Sequence, residues 1–156
     1  MNKAIYIILI AGGGLLTAVL AFFASQPATT EAAPFVPLGV LVACIAHCVM
    51  VFKMWAALPA DQRRTSPGAA VGLLFIPVFN IYWIFNVYVG YATDFNKSAQ
   101  ARGVDKRISW GLLLCQLLLS WVPLLGLILQ IVAISQICNG VNALRAGSGA
   151  VQARAA

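Results

Sequence analysis

Acidic side chains are scarce in this chain: Asp and Glu supply four of its 156 residues, Lys and Arg ten, and all charged residues together only 9%. A soluble domain carries about 25% charge, so an ordinary water-facing surface is excluded for most of the sequence. Residues 4–30, 32–52, 65–93 and 108–144 contain no charge at all. The lack of carboxylates inside the apolar windows argues against proton-coupled transport, which usually needs an Asp or Glu within the membrane. Histidine is nearly missing too, because His47 is the single one. A bis-histidine haem within the chain is thereby excluded, as is a His-Glu-x-x-His metal site. No paired-Asp or Ser/His arrangement is recognisable, so no enzymatic activity, catalytic residue or metal centre is expected. The four cysteines, Cys44, Cys48, Cys115 and Cys138, all fall in apolar runs. There a thiol behaves as a small hydrophobe, implying neither a disulfide framework nor an oxidising compartment.

What remains is apolar: 62% of residues are hydrophobic and the mean hydropathy is +0.90. The composition predicts an all-α integral membrane protein, with residues 1–156 forming a single membrane domain. No loop is long enough to hold a soluble enzyme domain. The net charge of +6 does not point to nucleic acid, since the basic residues cap apolar segments instead of interleaving with aromatics. They are expected to orient the chain and to touch anionic lipid.

Four hydrophobic segments follow from the uncharged runs, at about residues 4–24, 38–57, 69–95 and 108–144. The first two have the length of full transmembrane helices, since about 20 residues at 1.5 Å each cross the roughly 30 Å hydrocarbon layer. Lys3 before a long apolar run also fits a signal peptide. The run is longer than a usual signal core, and Phe22-Phe23-Ala24-Ser25 offers no small-x-small cleavage site, so a retained helix is expected. The last two segments are broken, the third near Pro77 and the fourth near Pro123. The fourth would measure roughly 55 Å as one helix, too long for a straight crossing.

Charge placement bears on topology. Four simple spans would put Lys97, Arg102, Lys106 and Arg107 outside, against the positive-inside rule. If the third and fourth segments instead dip in and return as re-entrant hairpins, all ten basic residues and both termini lie in the cytoplasm, with Ser25 to Pro37 outside. This hairpin arrangement is favoured, and simple spans are its alternative. Pro77 to Asn96 and Pro123 to Asn142 share one spacing, in keeping with a weak internal repeat.

Several residues stand out as candidate sites. Gly13, Thr17, Ala21 and Ser25 recur every four positions and form a small-residue face suited to close helix packing. His47 lies near the middle of the second segment, with Gly39 and Ala43 eight and four residues before it. Small residues there leave space above the imidazole, so a haem or chlorophyll ligated by His47 is the alternative to a chain with no cofactor. Asn80, Asn86, Gln116, Gln130, Gln136, Asn139 and Asn142 are expected to face other helices rather than lipid. Eight of the 21 residues from Phe75 to Phe95 are aromatic.

Pro77, Phe79, Asn80, Tyr82 and Trp83, followed by Gly90, Asp94 and Asn96, form a recognisable run. It resembles a group of uncharacterised bacterial membrane proteins with a Pro-x-Phe-Asn-(Ile/Leu)-Tyr-Trp stretch, over about 25 residues. The resemblance implies the bacterial cytoplasmic (inner) membrane and no defined activity. The expected function is that of a non-enzymatic accessory or scaffold subunit of a larger membrane complex. Its expected partners are the lipid bilayer and other integral membrane subunits, or further copies of itself. The alternatives are a His47 pigment or haem binder in a photosynthetic or electron-transfer complex, and a membrane-shaping hairpin protein.

Overall fold

The computed structural model describes residues 1–26 and 34–155, with side chains through residue 147 at the C-terminal end. The expected outside position of Ser25 to Pro37 thus falls largely, at residues 27–33, outside the described residues. Every element described is helical. Three helices are long and apolar enough to cross a membrane: Lys3–Ala24, Val36–Ala56 and Pro123–Gly147. The chain divides into two compact units, Asn2–Met50 and Val51–Ala156, the second also taking in Met1.

Helix α1 spans Lys3–Ala24 and is capped by Asn2, whose side chain accepts from the N–H of Ala4 at 3.0 Å. It widens into a π-helical stretch over Ile7–Gly12. Helix α2 spans Val36–Ala56. In the first unit the two helices approach closely because small residues face each other. A Cβ on Gly13 would lie 3.3 Å from Cβ of Ala43, and one on Gly39 only 2.6 Å from Oγ1 of Thr17. The Thr17 hydroxyl donates back to the carbonyl of Gly13 at 2.8 Å, so it is already satisfied within its own helix.

The second unit is built around two helical excursions. Helix α3, Pro67–Gly72, starts at Ser66, whose hydroxyl accepts from the N–H of Ala69 at 3.1 Å, with proline in the first turn. That is the position where a missing N–H costs nothing. The helix tightens into a 3-10 turn over Leu73–Phe75 and then stops. Pro77, Val78 and Phe79 form a γ-turn in which the N–H of Phe79 donates to the carbonyl of Pro77 at 2.7 Å. Val78 sits at its centre with φ +65°, a conformation rare for a β-branched residue. Helix α4 runs from 79 to 101, passing through a π-helical stretch at Asn86–Gly90. Gly103, with φ +63°, ends it. The N–H of Val104 reaches the carbonyl of Ala99 at 2.9 Å and that of Gly103 reaches Gln100 at 3.2 Å, which is a Schellman motif.

The other excursion begins at Ser109, which caps α5, Trp110–Leu119, by accepting from the N–H of Leu112 at 3.2 Å. The chain turns at residues 120–122, and Pro123 opens α6, Pro123–Ala155. At that turn a Cβ on Gly126 would come within 2.8 Å of the Ser120 carbonyl oxygen, so only glycine fits. The arm 67–75 and helix α5 are each about 15 Å long, half the hydrocarbon thickness.

The core of this unit lies away from the turns. Val51, Met54, Trp55 and Leu58, with Val87, Tyr91, Phe95 and Ala99 of α4 and Ile137, Cys138, Val141 and Leu144 of α6, are all buried. Trp55 and Tyr91 pack edge to face at 5.6 Å. Gly140 lets α6 close on this layer, since a Cβ there would meet Phe95 at 2.9 Å and Ile108 at 3.1 Å. The two turns, by contrast, carry bare apolar side chains, Val78 at 83% exposure and Trp121 at 89%.

Candidate functional site

The polar residues of the second unit gather where the two excursions begin and end. The uncharged run 65–93 starts just after Arg64 and stops just before Asp94, and these two side chains bind each other. The backbone N–H and Nε of Arg64 both donate to Oδ2 of Asp94 at 3.0 Å, and Nη2 donates to Oδ1 at 2.7 Å. Both carboxylate oxygens are therefore satisfied on a residue only 5% exposed. Hydrogen bonding to Asp94 raises the pKa of the Arg64 guanidinium further above its usual value. Gly90 makes room for it, because a Cβ there would lie 3.1 Å from Nη1 of Arg64. One turn beyond Asp94, the hydroxyl of Ser98 donates to Oε1 of Gln62 at 2.7 Å. Together these bonds close the excursion from residue 62 to residue 98 at its base.

Two residues of the aromatic run singled out in the sequence, Trp83 and Phe79, bear on the first arm. Indole Nε1 of Trp83 donates to the carbonyl of Ala70 at 3.3 Å, tying α4 back to the first arm. Phe79 stacks on Trp83 at 5.5 Å. Asn96 clamps the start of the next excursion, its Nδ2 donating to the carbonyl of Ile108 at 2.9 Å and its Oδ1 accepting from the same residue's N–H at 2.8 Å. The N–H of Ser109 donates to Oε1 of Gln136 at 3.2 Å, so the second excursion also returns to its starting level. Asn142, the counterpart of Asn96 in the repeat spacing, makes the same two-sided contact with the backbone N and O of Met1.

The other residues from the sequence lie elsewhere. Pro77 and Phe79 are exposed at the first turn and Pro123 at the second. Asn80 is half-buried, its Oδ1 enclosed and without a hydrogen-bond partner, while Tyr82 is exposed and accepts from Asn86 at 3.4 Å. In the first unit Gly13 and Thr17 face α2, whereas Ala21 and Ser25 are exposed. His47 is half-buried. The small residues before it, Gly39 and Ala43, have Thr17 and Gly13 of α1 against them, so the first helix fills the space that suggested a planar ligand. Among the described residues no three His, Cys, Asp or Glu side chains converge as a metal site would need.

Beside the Arg64–Asp94 pair opens a cleft of about 640 Å³, lined by Asp61, Gln62, Arg63, Arg64, Asp94, Lys97 and Ala101. Arg63 turns Nη1 toward the carbonyl of Trp55 at 3.5 Å. Sequence reasoning missed Arg64, Gln62 and Ser98 altogether. A signal for the first was available: a carboxylate bordering a long uncharged run needs a cation, and Arg64 stands at the other end of that run. No family model matches the chain, and the comparisons with curated proteins and with solved structures found no match.

Proposed function

We propose that this is a non-enzymatic protein of the bacterial cytoplasmic membrane that enters the bilayer from the cytoplasmic side with two helical hairpins. There it acts as an accessory or scaffold subunit, holding membrane partners against the aromatic turns. The observation that carries this reading is the closure of residues 62–98 by Arg64–Asp94 and Gln62–Ser98. A segment whose two charged ends are bonded together has both ends on one side of the membrane. First arms of about 15 Å agree with a segment that turns back within the hydrocarbon. Exposed backbone near the turns would be shielded by neighbouring protein, as broken helices in a membrane require.

The arm length also favours a second reading. Hairpins that fill one leaflet more than the other act as wedges, which makes this a membrane-shaping protein. Two measurements test these readings. Single cysteines at Thr29 and Asp105, in a chain with Cys44, Cys48, Cys115 and Cys138 replaced, are exposed to an impermeant thiol reagent on intact cells. Labelling at Thr29 alone is expected; labelling at both positions makes the third segment a simple span and defeats the hairpin reading. A photoreactive residue at Trp121 then separates the two roles. A discrete protein adduct is expected of a scaffold, and lipid adducts alone leave the wedge.

A further inference from the structure

We infer that the cleft beside the Arg64–Asp94 pair binds the phosphate group of an anionic phospholipid, with Arg63 and Lys97 as its ligands. The charges lining the cleft sort themselves. Arg64 and Asp94 neutralise each other through three hydrogen bonds, leaving Arg63 and Lys97 against the exposed Asp61. The remaining balance is one positive charge, the complement of one phosphodiester. Arg63 has one N–H directed at the Trp55 carbonyl, at the long distance of 3.5 Å. The rest of its planar fork can take two phosphate oxygens, while Lys97 adds a point charge.

The position of the cleft supports the lipid source. Its walls, residues 61–64 and 94–101, flank both ends of the uncharged run 65–93, so it lies where apolar surface gives way to polar surface. That is the level of headgroups, and basic pockets at this level take anionic lipids. A volume of about 640 Å³ is within the roughly 300–1,000 Å³ common for small-molecule sites. The inference requires the chain to be membrane-embedded and is independent of whether it scaffolds or wedges.

The test uses the whole chain in detergent micelles, titrated with phosphatidylglycerol, phosphatidylcholine, sn-glycerol 3-phosphate or inorganic phosphate while its thermal midpoint is followed. Phosphatidylglycerol should raise the midpoint saturably and phosphatidylcholine should not. The double variant Arg63→Gln/Lys97→Gln should weaken the phosphatidylglycerol response at least tenfold and keep the far-UV spectrum of the unaltered chain. The pair Lys106→Gln/Arg107→Gln should leave the response as it was. Equal responses to the two lipids, or an undiminished response in the Arg63/Lys97 variant, overturn the site. Saturation by inorganic phosphate or glycerol phosphate at the same residues, with no gain from the lipid, overturns the lipid source. Native mass spectrometry of the unaltered protein reads the site without any substitution. One phosphatidylglycerol retained per chain supports it, and equal retention of phosphatidylcholine refutes it.

Discussion

Asp94 is a buried carboxylate whose two oxygens depend on one arginine, and that dependence sets its energetics. Arg64→Ala removes two of the three hydrogen bonds to Asp94 and keeps the one from the backbone N–H, and because the Arg64 side chain is 42% exposed, water can enter where it was. Arg64→Ala should therefore cost roughly 1–3 kcal/mol rather than the larger penalty of a fully buried pair. Adding Asp94→Ala to it should cost less than the sum of the two single losses, as read by a double-mutant cycle of denaturant midpoints. Strictly additive losses would mean that the pair is not coupled. Val78 presents the opposite case. Its φ of +65° holds strain of order 1 kcal/mol that glycine does not feel. Val78→Gly should raise thermal stability in detergent, and a clear fall would show that the γ-turn is not strained. Asp94 stood out in the sequence as part of the motif run with Gly90 and Asn96, but its partner lies 30 residues away and outside that run. The backbone of Val78 has no mark in the sequence, where it is one more apolar residue after Pro77.

At the scale of elements, Gly13 and Thr17 of the small-residue face of α1 lie against α2 while Ala21 and Ser25 are exposed, and the partner on α2 was not legible in the sequence. Gly39 and Ala43 looked like clearance beside His47, and they lie against Thr17 and Gly13. Spacing reveals that a face is narrow, whereas only the fold decides which narrow face it meets. The seam inside this unit yields two expectations. Gly39→Ala should destabilise by about 1–2 kcal/mol, since its Cβ would press on Oγ1 of Thr17, and Thr17→Gly should rescue it. Cysteines at positions 13 and 43, in a chain free of other cysteines, should oxidise within one molecule because their Cβ atoms would be near bonding range. Appearance of a covalent dimer on a non-reducing gel would assign the seam to two chains. The helix breaks were the most legible elements, because Pro77 and Pro123 cannot continue a helix and the turns fall at 76–78 and 120–122. The closures at their bases were not, being made by hydrogen bonds of long sequence separation.

Across the whole molecule, polar bonds concentrate at the base of the second unit and bare apolar side chains at its turns. If those turns enter hydrocarbon, a chain keeping only Trp121, with Trp55, Trp83 and Trp110 changed to Phe, should be quenched strongly by lipids brominated in mid-chain. The matching chain that keeps only Trp110, at the start of α5, should be quenched less, and the reverse order would place the turn at the surface. The π-helical stretch at Asn86–Gly90 bears on which changes of length the chain accepts. An i→i+5 turn holds one residue more than the α-helix around it. Deleting Val89 would let that turn relax to ordinary pitch, with both flanks kept in phase and Asp94 still opposite Arg64. The same deletion at Val132, in the uninterrupted α6, would rotate Gln136 about 100° away from Ser109. The chain should thus tolerate a lost codon at one place and fail at another of similar hydrophobicity, which a single-residue deletion scan of expression level would display directly.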